Sequence, residues 1–112
     1  MLDKNKATLY LDLYGSLLTD KQRRDVELYL EEDYSLSEIS EIVGATRQAV
    51  HDSINRAMQK LMDLEEKLGL YKRLGEQEIK LKEIKHLMLQ LEGNDALRSE
   101  ILSIISQMIY ED

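Results

Sequence analysis

Five side chains between residues 47 and 56 have chemistry suited to binding nucleic acid: Arg47, Gln48, His51, Asn55 and Arg56. Arg56 lies nine residues after Arg47, so it is expected to point toward flanking phosphate or a partner subunit and not toward base edges. Arginine forms paired hydrogen bonds with guanine, and glutamine and asparagine do so with adenine, at base edges exposed in the major groove. The residue types therefore permit nucleic-acid binding. They equally fit the polar face of an ordinary amphipathic helix, so residue type alone leaves both interpretations open.

The surrounding residues predict a helix-turn-helix that would position these side chains. Ile39 and Val43 lie four residues apart on one face of a short helix, and Gly44 stands where a left-handed C-terminal cap is expected. Thr46 can then cap a second helix through its side-chain oxygen. The apolar face of that helix consists of Ala49, Val50, Ile54 and Ala57. In a DNA-binding motif of this kind the second helix enters the major groove.

Three stretches of the chain resemble region 4 of sigma-70-type factors and, more closely, the small bacterial YlxM family. They are LLTDKQ at 17–22, DYSLSEI at 33–39 and RQAV at 47–50. The resemblance implies an all-helical fold of the winged-helix-like DNA-binding superfamily. Through gene neighbourhood it also implies a regulatory link to the signal recognition particle pathway. Ala45 and Ser53 depart from the sigma-like pattern, because larger aliphatic side chains are common there, and Ile54 is expected to make the core contact instead of Ser53.

The sequence predicts an all-α fold: a sigma-70 region 4-like helix-turn-helix head, a long helix and a helical C-terminal arm. The absence of proline favours long helices. Apolar spacing and capping residues place helices at about 3–16, 20–32, 35–43 and 47–68. A fifth helix is expected to restart at Leu74 after a break at 69–75, and a sixth to follow Gly93. We predict two domains, a helix-turn-helix domain at 1–68 and the arm at 69–112.

A heptad pattern runs along the fourth helix and indicates that the arm needs a packing partner. Its members alternate at spacings of four and three residues: Val50, Ile54, Ala57, Leu61, Leu64, Leu68 and Tyr71. The small head cannot cover the distal half of this seam, and the following helices are also apolar at helical spacing. The arm is therefore expected either to fold into a hairpin or to pair between two chains. We predict a homodimer.

The net charge of −7 argues against strong non-specific binding to nucleic acid, which depends on basic side chains. Residues 46–75 are the one basic section, with six basic against four acidic side chains. Asp52, within it, would repel phosphate unless it met a cytosine amino group. Arg23 and Arg24, with Lys21 and Gln22, could contact backbone phosphate. We favour the alternative, in which this exposed basic patch pairs with Glu27 or Asp20.

Other classes of function have little support in the sequence. There is no cysteine for a disulfide or thiolate site, and His51 and His86 lie in no metal-binding spacing. We expect no enzyme activity, no cofactor, no metal and no small-molecule substrate. No apolar run approaches the ~20 residues of a membrane span, and the N-terminus lacks the apolar segment of a signal peptide. A cytoplasmic protein without membrane insertion is expected.

Three functions remain open from the sequence. The first is regulation of the signal recognition particle pathway through contact with the particle's RNA or protein. The second is transcriptional regulation through DNA binding. The third is a helical adaptor whose helix-turn-helix surface binds protein instead of nucleic acid. Nucleic-acid binding would be distinguished by its steep dependence on salt concentration.

Overall fold

The computed structural model describes residues 2–110 and is helical throughout, with no β-strand in that part of the chain. The helices are α1 (Lys4–Tyr14), α2 (Asp20–Leu30), α3 (Leu36–Val43), α4 (Arg47–Leu68), α5 (Leu70–Gln90) and α6 (Asp95–Tyr110), with a 3₁₀ turn at Gly15–Leu17. The predicted all-α class is confirmed. The chain divides into two compact units, the first ending at Tyr71 and the second beginning at Lys72. The assignment of 1–68 and 69–112 as domains stays a prediction.

The first unit is built around the N-terminal two-thirds of α4, which packs against α1, α2 and α3. Ala49 of the predicted apolar face is only half-buried, but the other members and the next heptad position are at most 2% exposed. They are Val50, Ile54, Ala57 and Leu61. Burial of this surface is the main stabilisation of the unit. One side of α4 is therefore fixed in the core, and its polar side is held outward.

The turn between α3 and α4 has the predicted local chemistry. Gly44 is left-handed, with φ 70° and ψ 31°, and its amide donates to the carbonyl of Ser40. The Thr46 hydroxyl accepts from the amide of Ala49 at 3.1 Å, which caps α4. Because a left-handed conformation penalises a Cβ atom, glycine suits the first position. The helix-turn-helix motif is thus confirmed at the residues that predicted it.

The helix starts at α2 and α3 use reciprocal capping. Thr19 and Gln22 each accept from the other's backbone amide, and Ser35 and Glu38 do the same. These two capping boxes satisfy amide groups that have no partner within the helix. They fix where α2 and α3 begin: α2 begins at the predicted residue 20, and α3 begins at Leu36 because Ser35, expected within the helix, is its N-cap.

The predicted stop of the fourth helix at Gly69 is confirmed, but the break does not extend to 75: α5 begins at Leu70, before the expected restart at Leu74, and continues through Gly75. Only Gly69 interrupts the helical path, with φ 63°. Glycine permits a turn but does not require one, so interactions with neighbouring residues determine whether the helix continues through it. The other differences are smaller. The first helix ends at Tyr14 rather than Ser16, because a 3₁₀ turn follows it at Gly15–Leu17, and the second ends at Leu30 rather than Glu32.

A polar network inside the first unit fixes the start of α5. The buried Tyr14 hydroxyl donates to Glu65 Oε1 at 2.7 Å and accepts from the amide of Leu70 at 3.1 Å. The same Glu65 oxygen accepts from the amide of Tyr71 at 2.9 Å. Burial raises the pKa of Tyr14 above its ordinary value of 10.0, and the hydrogen bond from Tyr14 to Glu65 raises it further, while the Leu70 amide lowers it. These bonds satisfy the first amide groups of α5.

The second unit consists of most of α5 together with α6. Asn94 Oδ1 accepts from the amide of Leu97 at 3.0 Å, so Asn94 caps α6 after the predicted stop at Gly93. Many large apolar side chains of this unit are at least 45% exposed: Leu74, Ile79, Ile84, Leu87 and Leu89 on α5, Leu91 in the connection, and Leu97, Ile104 and Met108 on α6. This unit therefore carries far more exposed apolar surface than the first.

Candidate nucleic-acid interface

The predicted site residues lie outside the core face of α4, and the N-terminal four lie on the flank next to the buried Ile54 and Met58. At about 100° per residue, the N-terminal four span roughly a quarter to a third of the helix circumference. Arg47 and Gln48 are exposed, and His51 and Asn55 are half-buried. Arg56 is also exposed but points about half a turn away from Arg47, because nine residues separate them. The structure thus brings four of the five together and places Arg56 on a different flank.

Local hydrogen bonds hold most of these side chains in place. Gln48 Nε2 donates to Asp52 Oδ1 at 2.9 Å. The Asn55 amide nitrogen lies 3.3 Å from His51 Nε2, and His51 Nδ1 lies 3.7 Å from Asp52 Oδ1. Asp52 therefore restrains its neighbours in addition to placing a negative charge near them. Gln48 must exchange this bond for one to a base if it reads adenine.

The basic side chains differ in how they are paired. Arg23 Nε bonds Glu27 Oε1 at 2.8 Å, and Arg24 Nε bonds Asp25 Oδ1 at 3.1 Å. The expected pairing with Glu27 is confirmed for Arg23, whereas Arg24 pairs with Asp25, which is neither of the expected partners. The side chains of Arg47 and Arg56 form no ion pair or hydrogen bond with any residue between 2 and 110. Of these four arginines, the two on α4 are therefore the ones available to an external anion.

Sequence reasoning missed the burial of one polar residue on α4. Ser53 is 6% exposed, next to the buried Ile54, so both side chains face inward. The Ser53 hydroxyl has no hydrogen-bond partner in the described part of the chain. The available signal was its place in the motif, where aliphatic side chains are common. The expectation that Ile54 makes a core contact is correct, but it does not bring Ser53 to the surface.

Two other features bear on the classes of site. Within residues 2–110, no three acidic or histidine side chains come together in a group that could hold a metal ion. No helix in the same range combines the length and apolar character needed to cross a membrane.

Comparison with known proteins gives a consistent result. A sequence model of the UPF0122 family, described as "Putative helix-turn-helix protein, YlxM / p13 like", matches residues 2–107. The chain belongs to this family. Its relatives include a UPF0122 protein of Desulforamulus reducens, 45% identical over 96 residues, or 86% of this chain and 82% of the relative. Another, from Thermoanaerobacter sp., is 46% identical over 109 residues, covering 93% and 88% of the two chains.

A third relative, from Oceanobacillus iheyensis, is 52% identical over 89 residues, covering 79% of this chain and 84% of its own. The match to the family spans the helix-turn-helix and most of the two helices that follow it. Membership of a helix-turn-helix family indicates nucleic-acid binding as the class of function. The individual contact residues on α4 stay predictions.

Proposed function

We propose that the protein is a regulator that binds double-stranded DNA in a sequence-dependent manner, with the N-terminal half of α4 in the major groove. The observation that carries this proposal is the outward side of that helix. It presents Arg47, Gln48, His51 and Asn55 together, while the adjoining apolar side is buried in the core. Arg47 has no partner among the described residues, so it can bond guanine without first breaking an ion pair.

The shape of the nucleic acid favours DNA over double-stranded RNA as the ligand of this helix. The major groove of B-DNA admits an α-helix, whereas that of an A-form RNA duplex is deep and narrow. Because α4 projects its polar side from a compact three-helix support, it suits the wider groove. The negative net charge of −7 implies that non-specific affinity for nucleic acid is weak, so specific contacts contribute a large share of the binding free energy.

The experiment that tests this proposal is selection from a randomised duplex pool, followed by fluorescence anisotropy at several salt concentrations. We expect one short sequence to be enriched. Arg47→Ala should weaken binding to that sequence by about 1–3 kcal/mol and barely change binding to random duplex. Lys6→Ala is the matched control, because Lys6 is an exposed cation of α1 with no ion pair in the described chain. No enrichment, or equal losses in both variants, would refute base recognition by α4.

The finer proposal concerns the biological setting. We infer that DNA or RNA binding serves regulation of the signal recognition particle pathway in the cytoplasm, and family membership is what supports this. Contact with the particle's RNA or protein is the corresponding alternative to DNA. Affinity purification of the tagged protein with and without nuclease separates them. Recovery of particle components only without nuclease indicates an RNA link, recovery in both indicates protein contact, and recovery in neither contradicts the pathway assignment.

We also propose that the protein is a homodimer that pairs through the second unit. The support is the exposed apolar side of α5, where Ile79 is 65% exposed and Leu87 is 60% exposed. Contiguous apolar surface of this kind usually marks an interface. A dimer would present two α4 helices, which suits a site made of two half-sites. The alternative is an intrachain hairpin.

Light scattering at micromolar concentration tests the dimer. We expect twice the 13.1 kDa mass of one chain for the parent. Leu87→Glu should shift the mass toward a single chain, because it places a charge in the proposed interface. Lys80→Ala, on the same helix, is the control and should leave the mass unchanged. A parent that scatters as one chain would contradict pairing.

A further inference from the structure

A cleft lies between the first turn of α2 and the middle of α4, beside the proposed base-reading side. It has a volume of about 360 Å³. Its lining residues come from only these two helices: Thr19, Lys21 and Gln22 from the start of α2, and Ala49, Asp52, Ser53 and Arg56 from α4. The cleft is large enough for a small anion together with water, since one water occupies about 30 Å³ in the liquid.

Ser53 gives the first indication of what the cleft binds. This residue is 6% exposed and its hydroxyl has no hydrogen-bond partner anywhere in residues 2–110. Nearly all buried polar groups in folded proteins have a partner, so an unpartnered hydroxyl needs an explanation. Ser53 also lines the cleft. The hydroxyl is closed to solvent in this structure, so a ligand with hydrogen-bond acceptors would provide the missing partner once the Ser53 side chain turns toward the cleft.

Two cations converge on the same cleft and give a second, independent indication. Lys21 and Arg56 both line it, and neither forms an ion pair with a described residue. By contrast Arg23 and Arg24, next to Lys21 in the chain, are each paired with a carboxylate. Positive charge is therefore left available on both sides of the cleft.

The start of α2 adds neutral donors to this positive site. The capping box occupies the amides of Thr19 and Gln22. The first backbone bond of the helix runs from the Arg23 amide to the Thr19 carbonyl, so the amides of Asp20 and Lys21 precede it. Such amides and the helix dipole favour an anion at a helix N-terminus.

We propose that this cleft binds a phosphate group. Lys21 and Arg56 supply the charge, and Ser53 with the first turn of α2 supplies neutral donors. Asp52 also lines the cleft, and its negative charge opposes phosphate binding. The Asp52 carboxylate accepts a hydrogen bond from the Gln48 side chain. The phosphate belongs to the backbone of a bound duplex if the proposed function holds, and to a free phosphate compound if it does not. Phosphate contacts would then set how α4 is oriented on the duplex.

The first test uses inorganic phosphate as the probe and amide chemical shifts from heteronuclear NMR as the readout. We expect saturable shifts at Lys21, Ser53 and Arg56 with phosphate, and none with chloride at equal ionic strength. Lys21→Ala and Arg56→Ala should each weaken phosphate binding about 10-fold, because each removes a charge-assisted bond. Arg23→Ala is the matched control, since Arg23 is already paired with Glu27, and should leave binding unchanged.

Two conservative variants keep the test independent of folding. Ser53→Ala should weaken phosphate binding about 2- to 10-fold while retaining helical content, because one neutral hydrogen bond is lost. Asp52→Asn should strengthen it, which a structural defect would not do. Absence of phosphate-specific shifts, or no change in either variant, overturns the proposal.

A second arm identifies the source of the phosphate and keeps this proposal separable from the proposed function. If random-sequence duplex competes with inorganic phosphate, and Arg56→Ala reduces the salt slope by about one unit, the cleft holds a backbone phosphate. If phosphate binds and duplex neither binds nor competes, the cleft is confirmed as a site for a free phosphate compound, and the proposed DNA function fails. If duplex binds at α4 but inorganic phosphate causes no chemical-shift change at the cleft, the DNA function stands and this proposal fails.

Discussion

Removing the hydroxyl of Tyr14 should destabilise the first unit well beyond the effect of removing another tyrosine hydroxyl. This hydroxyl donates to Glu65 Oε1 and accepts from the Leu70 amide, in a residue that is 1% exposed. Tyr14→Phe therefore leaves a carboxylate and a backbone amide each short of a partner. Hydrogen bonds to charged groups contribute about 1.5–3 kcal/mol. Because Glu65 is only half-buried and water can replace part of the loss, we expect about 2 kcal/mol in total.

Urea unfolding followed by far-ultraviolet circular dichroism measures this loss. With a denaturant dependence of about 2 kcal/mol per M, the midpoint should fall by about 1 M. Tyr34→Phe is the control, because Tyr34 is a half-buried tyrosine against the same core and its hydroxyl has no hydrogen bond in the described chain. If both variants unfold at the same urea concentration as the parent, the network does not stabilise the fold and the reasoning is refuted.

The same residue predicts a pH dependence of stability. The pKa of Tyr14 is raised in the folded state, so the folded protein retains this proton where the unfolded chain, with a pKa of about 10, releases it. The contribution is therefore fully present below pH about 10 and is lost as the pH rises through the folded pKa. Tyr14→Phe should show a smaller loss of stability in that alkaline range than the parent, and an equal loss would contradict the assignment.

Two glycine substitutions give predictions of opposite sign. Gly44→Val should destabilise the first unit by about 1–2 kcal/mol or more in thermal or urea unfolding, because it forces a β-branched residue into φ 70°. The cost comes from the backbone alone, since no atom lies within 4 Å of the added Cβ. Gly44→Asn should cost less, and an unchanged melt for Gly44→Val would show that the strain is absent. Gly75→Ala should increase helix stability by about 0.5–1 kcal/mol, because Gly75 lies inside α5 and the added Cβ meets open space. Reduced helicity in circular dichroism would mean that the residue is not helical in solution.

The elements predicted correctly from sequence are those fixed by residues close together in the chain. A helix cap depends on a side chain and an amide two or three residues away, so Thr19 and Thr46 could be assigned without knowledge of the fold. The left-handed turn at Gly44 is local for the same reason. The division of α4 into an apolar and a polar side follows from its 3.6-residue period. The family resemblance rests on these local features and is confirmed by the match over residues 2–107.

The errors occurred where the sequence allows more than one outcome. Gly75 is compatible with a break and with a helix, and the structure places it within α5. Ser53 lies between the core and the polar side of α4, so its burial depends on how closely α2 approaches. In both cases the missing information is the position of a neighbouring element, which no local pattern contains.

The sequence by itself determined the helices, their caps and the side of α4 that faces outward, because these depend on interactions within one or two helical turns. Tertiary structure alone decided which distant groups meet. It joins Tyr14 to Glu65, 51 residues away, and brings the start of α2 against Ser53 and Arg56. Such contacts arise when burial of apolar surface fixes the packing of whole helices, and the polar groups at the boundary then find their partners or remain without one.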